Sequence, residues 1–208
     1  MQNIVYNIDR VNRWLGHFFG WTVLILTLFV TYEVFSRYAF GNPRPWAFDA
    51  MNMLYGTLFM MAGAYALATN AHVRGDVLYG FFPTRLQASL DLLLYFLFYF
   101  PGVIALVWAG YVFAGESFVI REHSNITADG PPIYPFKMTI PFAGICLIFQ
   151  GVAEVYRCIQ ALKNGIWPDR IADIEEVDVD NLKTMVSTTK VDEEVLEELE
   201  TEQSGEQQ

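Results

Sequence analysis

Four long apolar runs constrain what this chain can fold into. They occupy residues 15–32, 51–68, 90–113 and 138–155. A hydrocarbon core of about 30 Å is crossed by roughly 20 mostly apolar residues in a helix, and each run is close to that length or longer. Because backbone polar groups in lipid must be hydrogen-bonded within the chain, and the runs show no period-two alternation, they predict helices rather than barrel strands. The expected fold class is all-α, an integral membrane protein with four transmembrane helices.

Lysine and arginine in the short flanks of the runs predict the orientation, since cytoplasmic flanks carry an excess of them. With the N-terminus inside, the cytoplasmic set is Arg10, Arg13, Arg74, Arg85, Arg157, Lys163 and Arg170. The opposite set is Arg37, Arg44, Arg121 and Lys137. The larger first set predicts that both termini are cytoplasmic.

The acidic character of the chain is concentrated at its C-terminal end. The chain carries a net charge of −10, and residues 169–208 hold 14 acidic against 3 basic residues, so the remainder is nearly neutral. A neutral body offers no basic face for phosphate, which argues against nucleic-acid binding. We predict a cytoplasmic segment over 1–13, a four-helix domain over 14–165 and an acidic, largely disordered cytoplasmic tail over 166–208.

Charged residues meet at the outer corner between the first two runs. Glu33 precedes Arg37 by four residues, a spacing that favours an ion pair on one helix face. This pair either neutralises itself at the interface or serves an ion relay, since ionisable residues in a span are functional candidates. Asp49 opens the second helix, where the helix dipole favours a carboxylate. With Arg44, these residues predict one charged cluster anchored by Trp46.

Other polar residues lie toward the ends of the runs. Asp91, Glu154 and Arg157 are expected near the cytoplasmic ends of helices three and four. Pro101 is expected to kink helix three unless a neighbouring helix satisfies the freed carbonyl. A bis-histidine haem held by His17 and His72 on one side is geometrically conceivable. No transport site with broken helices at mid-depth is evident, which predicts that the chain does not carry a transport pathway alone.

The stretches YEVFSRYAF, PRPWAFD, AYALATNAHVRGDVLYG and PPIYPFKMTIPFAGICLIFQGVAE follow one another in this order. Together, over roughly residues 10–165, they resemble the small permease subunit of tripartite ATP-independent periplasmic (TRAP) transporters, the DctQ-like family. The resemblance implies a bacterial inner-membrane protein that is not an enzyme. It also implies two protein partners, a large DctM-like permease subunit and a periplasmic DctP-like solute-binding protein, besides membrane lipids.

The resemblance singles out residues by the motifs they match. An Arg-Tyr-x-Phe motif falls on Arg37, Tyr38 and Phe40, and a Trp followed by an acid falls on Trp46 and Asp49. A His-x-Arg-x-Asp motif and a Lys-x-x-x-Pro motif supply the remaining candidates, which are His72, Arg74, Asp76, Lys137 and Pro141. All are expected to be structural or subunit-interface residues, with His72, Arg74 and Asp76 in a cytoplasmic elbow.

The function implied is bracing of the large subunit and engagement of the binding protein during sodium-coupled uptake of an organic acid or similar solute. No cofactor is expected in this chain, and the sodium ions are expected in the large subunit. The alternative from the residues alone is a haem- or quinone-binding anchor of a respiratory oxidoreductase. An autonomous ion channel is disfavoured because the sequence shows no polar pore stripe.

Overall fold

The structure is a computed structural model that describes residues 2–71, 79, 81–126 and 130–168. Within these residues the chain is helical, and its one extended pairing is an isolated bridge between His123 and Pro132. The all-α fold class is therefore confirmed. The helices are α1 (Gln2–Gly20), α2 (Thr22–Ala39), α3 (Trp46–Ala68), α4 (Thr84–Leu94), α5 (Phe100–Val119), α6 (Tyr134–Lys137) and α7 (Thr139–Asn164).

Three helical stretches are long and apolar enough to cross a membrane. They are Gln2–Ala39, Thr84–Val119 and Tyr134–Asn164. Helix α3, with 23 residues, is about 34 Å long at 1.5 Å per residue, but it is not among them. Polar and small residues such as Asn52, Gly56 and Thr57 interrupt its apolar run. The count of four spans therefore stays a prediction.

The N-terminal helix begins earlier than the first apolar run. α1 continues without a break through residues 13 and 14, where we placed the boundary between the first two segments. Trp21 separates α1 from α2 while keeping a right-handed helical conformation, so the two helices form one stretch. The division of the chain into three segments stays a prediction, and residues 169–208 lie outside the described part.

A π-helical turn precedes Pro101, the residue at which a kink is expected. Residues Tyr95–Tyr99 form a π-helix between α4 and α5, and the Phe100 N–H donates to the Tyr95 carbonyl. Proline has no N–H, and its ring collides with the carbonyl four residues earlier in a regular helix. The wider π-helical turn before Pro101 changes which backbone carbonyls accept hydrogen bonds. The helical stretch therefore continues past the proline to Val119. The turn also directs Tyr99 at α7, where its hydroxyl donates to the Leu147 carbonyl at 2.8 Å.

Helix α7 packs against α1, α3, α4 and α5, and small residues permit these close contacts. An added Cβ at Gly144 would lie 2.6 Å from Val107 Cγ2 of α5, and one at Gly110 would lie 2.8 Å from Ile140 Cγ2. Small residues at such crossings let helix backbones approach, which is how membrane helices gain van der Waals contact. Large apolar side chains such as Leu28, Phe59 and Trp108 are exposed on the outside of the bundle.

Replacing Gly144 by leucine is expected to lower the melting temperature of the purified protein in detergent. The side chain would overpack the α5–α7 contact at a cost of about 1–3 kcal/mol. Gly115→Leu is the matched control, because an added Cβ at Gly115 of α5 meets nothing within 4 Å and the variant should melt close to the unaltered protein. Equal losses in both variants would show that the α5–α7 contact has no special role.

Candidate functional site

The charged pair at the outer corner forms as its spacing predicts. Arg37 Nη2 lies 2.9 Å from Glu33 Oε1 near the end of α2. The same carboxylate oxygen accepts the backbone N–H of Arg44 at 3.2 Å, so Glu33 ties α2 to the segment before α3. Glu33 is only 2% exposed, and its other oxygen, Oε2, is buried with no hydrogen-bond partner among the described residues. The negative charge is therefore balanced from one side only.

Aromatic rings hold the rest of this corner. The Arg44 guanidinium carbon lies 5.4 Å from the centroid of the Tyr32 ring, within cation–π range. Trp46 begins α3, and its ring centroid is 5.7 Å from that of Phe29 on α2. Trp46 thus joins the two helices where the chain turns, and its role as an anchor at the membrane interface stays a prediction.

Asp49 connects the start of α3 to the loop between α5 and α6. It is 3% exposed, and its Oδ1 accepts a hydrogen bond from Ser124 Oγ at 2.7 Å. The Ser124 N–H in turn donates to the Pro131 carbonyl at 3.0 Å. Of the residues predicted to form one cluster, Glu33, Arg37 and Arg44 form one contact group, whereas Asp49 bonds to Ser124 of the loop.

Lys137 closes that same loop. Its ammonium pairs with Glu122 and lies 4.0 Å from the centroid of the Phe113 ring. The hydrogen bond from the Lys137 ammonium, more than any other contact, holds the pKa of the Glu122 carboxyl below its usual value. Pro141 is buried in the first turn of α7, and an added Cβ at Gly110 would lie 3.4 Å from the Pro141 nitrogen. Both residues therefore fix the start of α7 against α5.

The short helix α6 contacts the interior of α3. An added Cβ at Gly56 would lie 2.6 Å from Cζ of Phe136, and Gly56 follows Trp46 by ten residues in α3. At 1.5 Å per residue, Gly56 is about 15 Å along the helix from the first residue of α3. The Phe136 ring therefore packs beside α3 before α7 begins.

The elbow motif cannot be placed in the same way, because His72, Arg74 and Asp76 lie outside the described residues. Tyr79, three residues after Asp76, is described. Tyr79 donates its hydroxyl hydrogen to Asp91 Oδ2 at 2.8 Å. Asp91, expected near the cytoplasmic end of its helix, is thus bonded to the segment before α4.

A second polar group joins α1 to α7, and sequence reasoning did not find it as a group. Asn12 Nδ2 donates to Gln150 Oε1 at 2.8 Å, and Gln150 Nε2 donates to Asp9 Oδ1 at 2.9 Å. Arg157 pairs with both Asp9 and Glu154. These five side chains are between 0% and 4% exposed. We call them the inner polar cluster.

Of this cluster, sequence reasoning singles out only Glu154 and Arg157. Gln150, Glu154 and Arg157 are spaced by four and three residues, which places them on one helix face. Asp9 and Asn12 have the same kind of spacing on α1. The sequence therefore contains two polar stripes, one on each helix. Nothing in the local sequence indicates that two helices so far apart along the chain contact each other.

The inner polar cluster contains more acidic than basic groups, because two carboxylates bind one guanidinium. Buried ions are costly to desolvate, and a pair is retained only when good geometry and further hydrogen bonds satisfy the remaining atoms. Gln150 supplies such bonds to Asp9 and, at 3.3 Å, to Glu154. The arrangement therefore serves to hold α1 on α7.

The described residues offer few candidate ligands for a metal ion or a haem. No group of three or more His, Cys, Asp or Glu side chains that could hold a metal ion occurs in the described part of the chain. His17 bonds through Nδ1 to the Arg13 carbonyl at 2.8 Å, and its ring stands edge-on to Tyr65. His72, the second histidine of the haem hypothesis, lies outside the described residues.

Comparison with models of known protein families gives a match over most of the chain. The family model described as "Tripartite ATP-independent periplasmic transporters, DctQ component" matches residues 26–161. The match includes the outer corner, Lys137, Pro141 and the α7 half of the inner polar cluster, but it begins after α1. No curated protein matches the chain. The match lends no support to a haem or quinone anchor.

Replacing Arg157 by methionine should strongly destabilise the protein. Asp9 and Glu154 would then remain buried without their shared cation, and removing one partner of a buried ion pair costs about 3–5 kcal/mol. Thermal unfolding in detergent measures the loss, and Lys163→Met on the exposed side of α7 is the control. Adding Asp9→Asn and Glu154→Gln to Arg157→Met should recover part of the stability. A triple variant as unstable as the single one would contradict the charge argument.

Proposed function

The chain belongs to the DctQ family, the small membrane component of TRAP transporters, and we propose that it braces the large permease subunit of such a transporter. DctQ is a family of transporter components rather than of enzymes. The resemblance to the small permease subunit, expected from four sequence stretches, is confirmed by a match that covers residues 26–161. This match is the observation that carries the proposal.

The packing of the described residues suits a brace. Glycine contacts fix α7 against its neighbours, and the inner polar cluster fixes α1 against α7. The strongly buried charges also have partners within the chain: Glu33 has Arg37, and Arg157 has Asp9 and Glu154. Because these groups bind each other, we assign the solute and sodium sites to the large partner subunit. The substrate of the transporter is proposed to be an organic acid or similar small solute.

The outer loop is the proposed contact with the periplasmic solute-binding protein. Hydrogen bonds from the Ser124 N–H to the Pro131 carbonyl and from the Ile133 N–H to the Glu122 carbonyl fold the loop on itself, both at 3.0 Å. The Glu122–Lys137 pair and the bond from Ser124 to Asp49 attach it to α6 and α3. A loop held at several points presents a defined surface, which lowers the entropic cost of docking.

We further propose a bacterial inner-membrane location with four spans and both termini in the cytoplasm. The charge difference between the flanks supports this orientation. It places the outer corner and the loop on the periplasmic side, where a binding protein is available. It places the inner polar cluster and the elbow motif on the cytoplasmic side.

Coexpression with a large TRAP permease subunit and its binding protein tests the proposal. The full set should form a stable complex that takes up solute into proteoliposomes in a sodium gradient. Omitting this chain should abolish uptake while the large subunit is still present in the membrane. Unchanged uptake without this chain would refute the bracing role.

The Arg37→Ala variant should weaken complex formation more than it changes solute affinity. Without Arg37, Glu33 stays buried with a single backbone donor, and we expect about tenfold weaker assembly, equivalent to about 1.4 kcal/mol. Arg44→Ala is the comparison: it removes the contact with the Tyr32 ring but keeps the backbone N–H bond to Glu33, so its effect on assembly should be smaller. Pull-down titration and uptake kinetics measure the two effects. A selective loss of solute affinity would place Arg37 in the transport pathway.

A further inference from the structure

Four helices of the described chain are followed by a residue with a left-handed backbone. Glycine adopts this conformation without a steric cost, and asparagine is the usual substitute at a helix end. The residues are Gly41 after α2 (φ 62°), Asn70 after α3 (φ 56°), Arg121 after α5 (φ 48°) and Gly165 after α7 (φ 76°). Arginine is neither glycine nor asparagine, so Arg121 carries a backbone strain that the other three helix ends avoid.

Three hydrogen bonds hold the backbone of Arg121 in this conformation. The Arg121 N–H donates to the Phe118 carbonyl at 3.2 Å, and the Glu122 N–H donates to the Ser117 carbonyl at 3.0 Å. These two bonds form a Schellman motif, in which glycine usually holds the position of Arg121. His123 Nδ1 also lies 2.8 Å from the Arg121 carbonyl oxygen. Strain that its surroundings maintain in this way points to a use for the residue.

The side chain of Arg121 is the part of the residue that has no structural task within the described chain. Arg121 is exposed, and no carboxylate among the described residues forms an ion pair with it. Two carboxylates at the same loop are bonded elsewhere, since Glu122 pairs with Lys137 and Asp49 accepts the Ser124 hydroxyl. Arg121 therefore presents a positive charge to the outside, which is complementary to an acidic surface.

Two apolar residues beside Arg121 are strongly exposed, since the exposed fraction is 81% for Val119 and 70% for Ile120. The Lys137 ammonium lies 4.0 Å from the centroid of the Phe113 ring, and such a charge is expected at or outside the hydrocarbon boundary. Val119 follows Phe113 by six residues, about 9 Å farther along α5 at 1.5 Å per residue. Lipid tails therefore do not explain this apolar exposure, whereas contact with a protein does.

We propose that Val119, Ile120 and Arg121, which we call the α5 cap surface, dock the periplasmic solute-binding protein through an acidic side chain of that protein. The Arg121 guanidinium pairs with the carboxylate, for which its planar fork of N–H groups is suited. Val119 and Ile120 exclude water around the pair, as the apolar surroundings of an interface arginine commonly do. This inference rests on the proposed function and names the residues through which the outer loop meets the binding protein.

Arg121→Gly tests the proposal, because it should change stability and docking in opposite directions. Glycine relieves the left-handed strain, so the melting temperature of the purified chain in detergent should rise by about 2–4 °C. The complex of this chain with the large subunit, reconstituted in lipid nanodiscs, should bind the solute-binding protein about tenfold more weakly, equivalent to about 1.4 kcal/mol. Biolayer interferometry with the solute-binding protein as the titrant measures this affinity.

Asn70→Gly is the matched control, because Asn70 is exposed and has the same backbone conformation at the end of α3. It should not lower the melting temperature, and it should leave docking unaltered. A second pair tests the apolar part of the α5 cap surface. Ile120→Ser should weaken docking severalfold, whereas Ile166→Ser, which changes a residue that is 74% exposed just after α7, should not.

The outcomes separate this inference from the proposed function. If the unaltered chain forms no complex with the large subunit, the bracing role fails and this inference fails with it. If the complex forms and takes up solute, but Arg121→Gly leaves docking as tight as before, only this inference is overturned. A lower melting temperature of Arg121→Gly in nanodiscs that contain phosphatidylglycerol, with docking unchanged, would assign Arg121 to lipid phosphate and overturn it as well.

Discussion

The close approach of α7 to its neighbours is the contact on which the rest of the structure depends. Helices in lipid gain no hydrophobic energy from meeting each other, so their association rests on van der Waals packing and on hydrogen bonds between them. Gly110 and Gly144 permit packing between α5 and α7, and the Tyr99 hydroxyl adds a bond to a backbone carbonyl of α7. The inner polar cluster is attached to α7, whose position these contacts determine.

The polar groups of the bundle form two regions that differ in burial and in charge balance. At the outer corner, the Glu33–Arg37 pair is half open to the surroundings, because the Arg37 side chain is 48% exposed. At the inner polar cluster, every member is buried, and two carboxylates compete for one guanidinium. The first arrangement is open to screening by solvent ions on its arginine side. The second is a rigid connection, whose loss would leave uncompensated charge.

Local patterns predicted much of this fold, and non-local contacts account for the rest. The apolar runs gave the all-α class, and the four-residue spacing gave the Glu33–Arg37 pair, since both depend on neighbours in sequence. The contact between Asp9 and Arg157 joins residues 148 positions apart, so no period or spacing contains it. The hydrogen bond from Ser124 to Asp49 joins residues 75 positions apart and depends on how the loop folds. For the same reason, the packing of α1 on α7 could not be anticipated from a sequence in which residues 1–13 looked like a simple flank.

The π-turn before Pro101 affects how the faces of the long helical stretch Thr84–Val119 line up. An α-helix rotates by about 100° per residue, and a π-turn accommodates one extra residue in a turn. The surface that α4 presents to α7 is therefore out of phase with the surface that α5 presents, when both are counted on one continuous helical wheel. Gln87 of α4 accepts the Trp167 indole N–H just after α7, and Tyr99 and Gly110 farther along the stretch contact α7 itself. One additional residue thus acts as a phase correction between two segments that pack against the same helix.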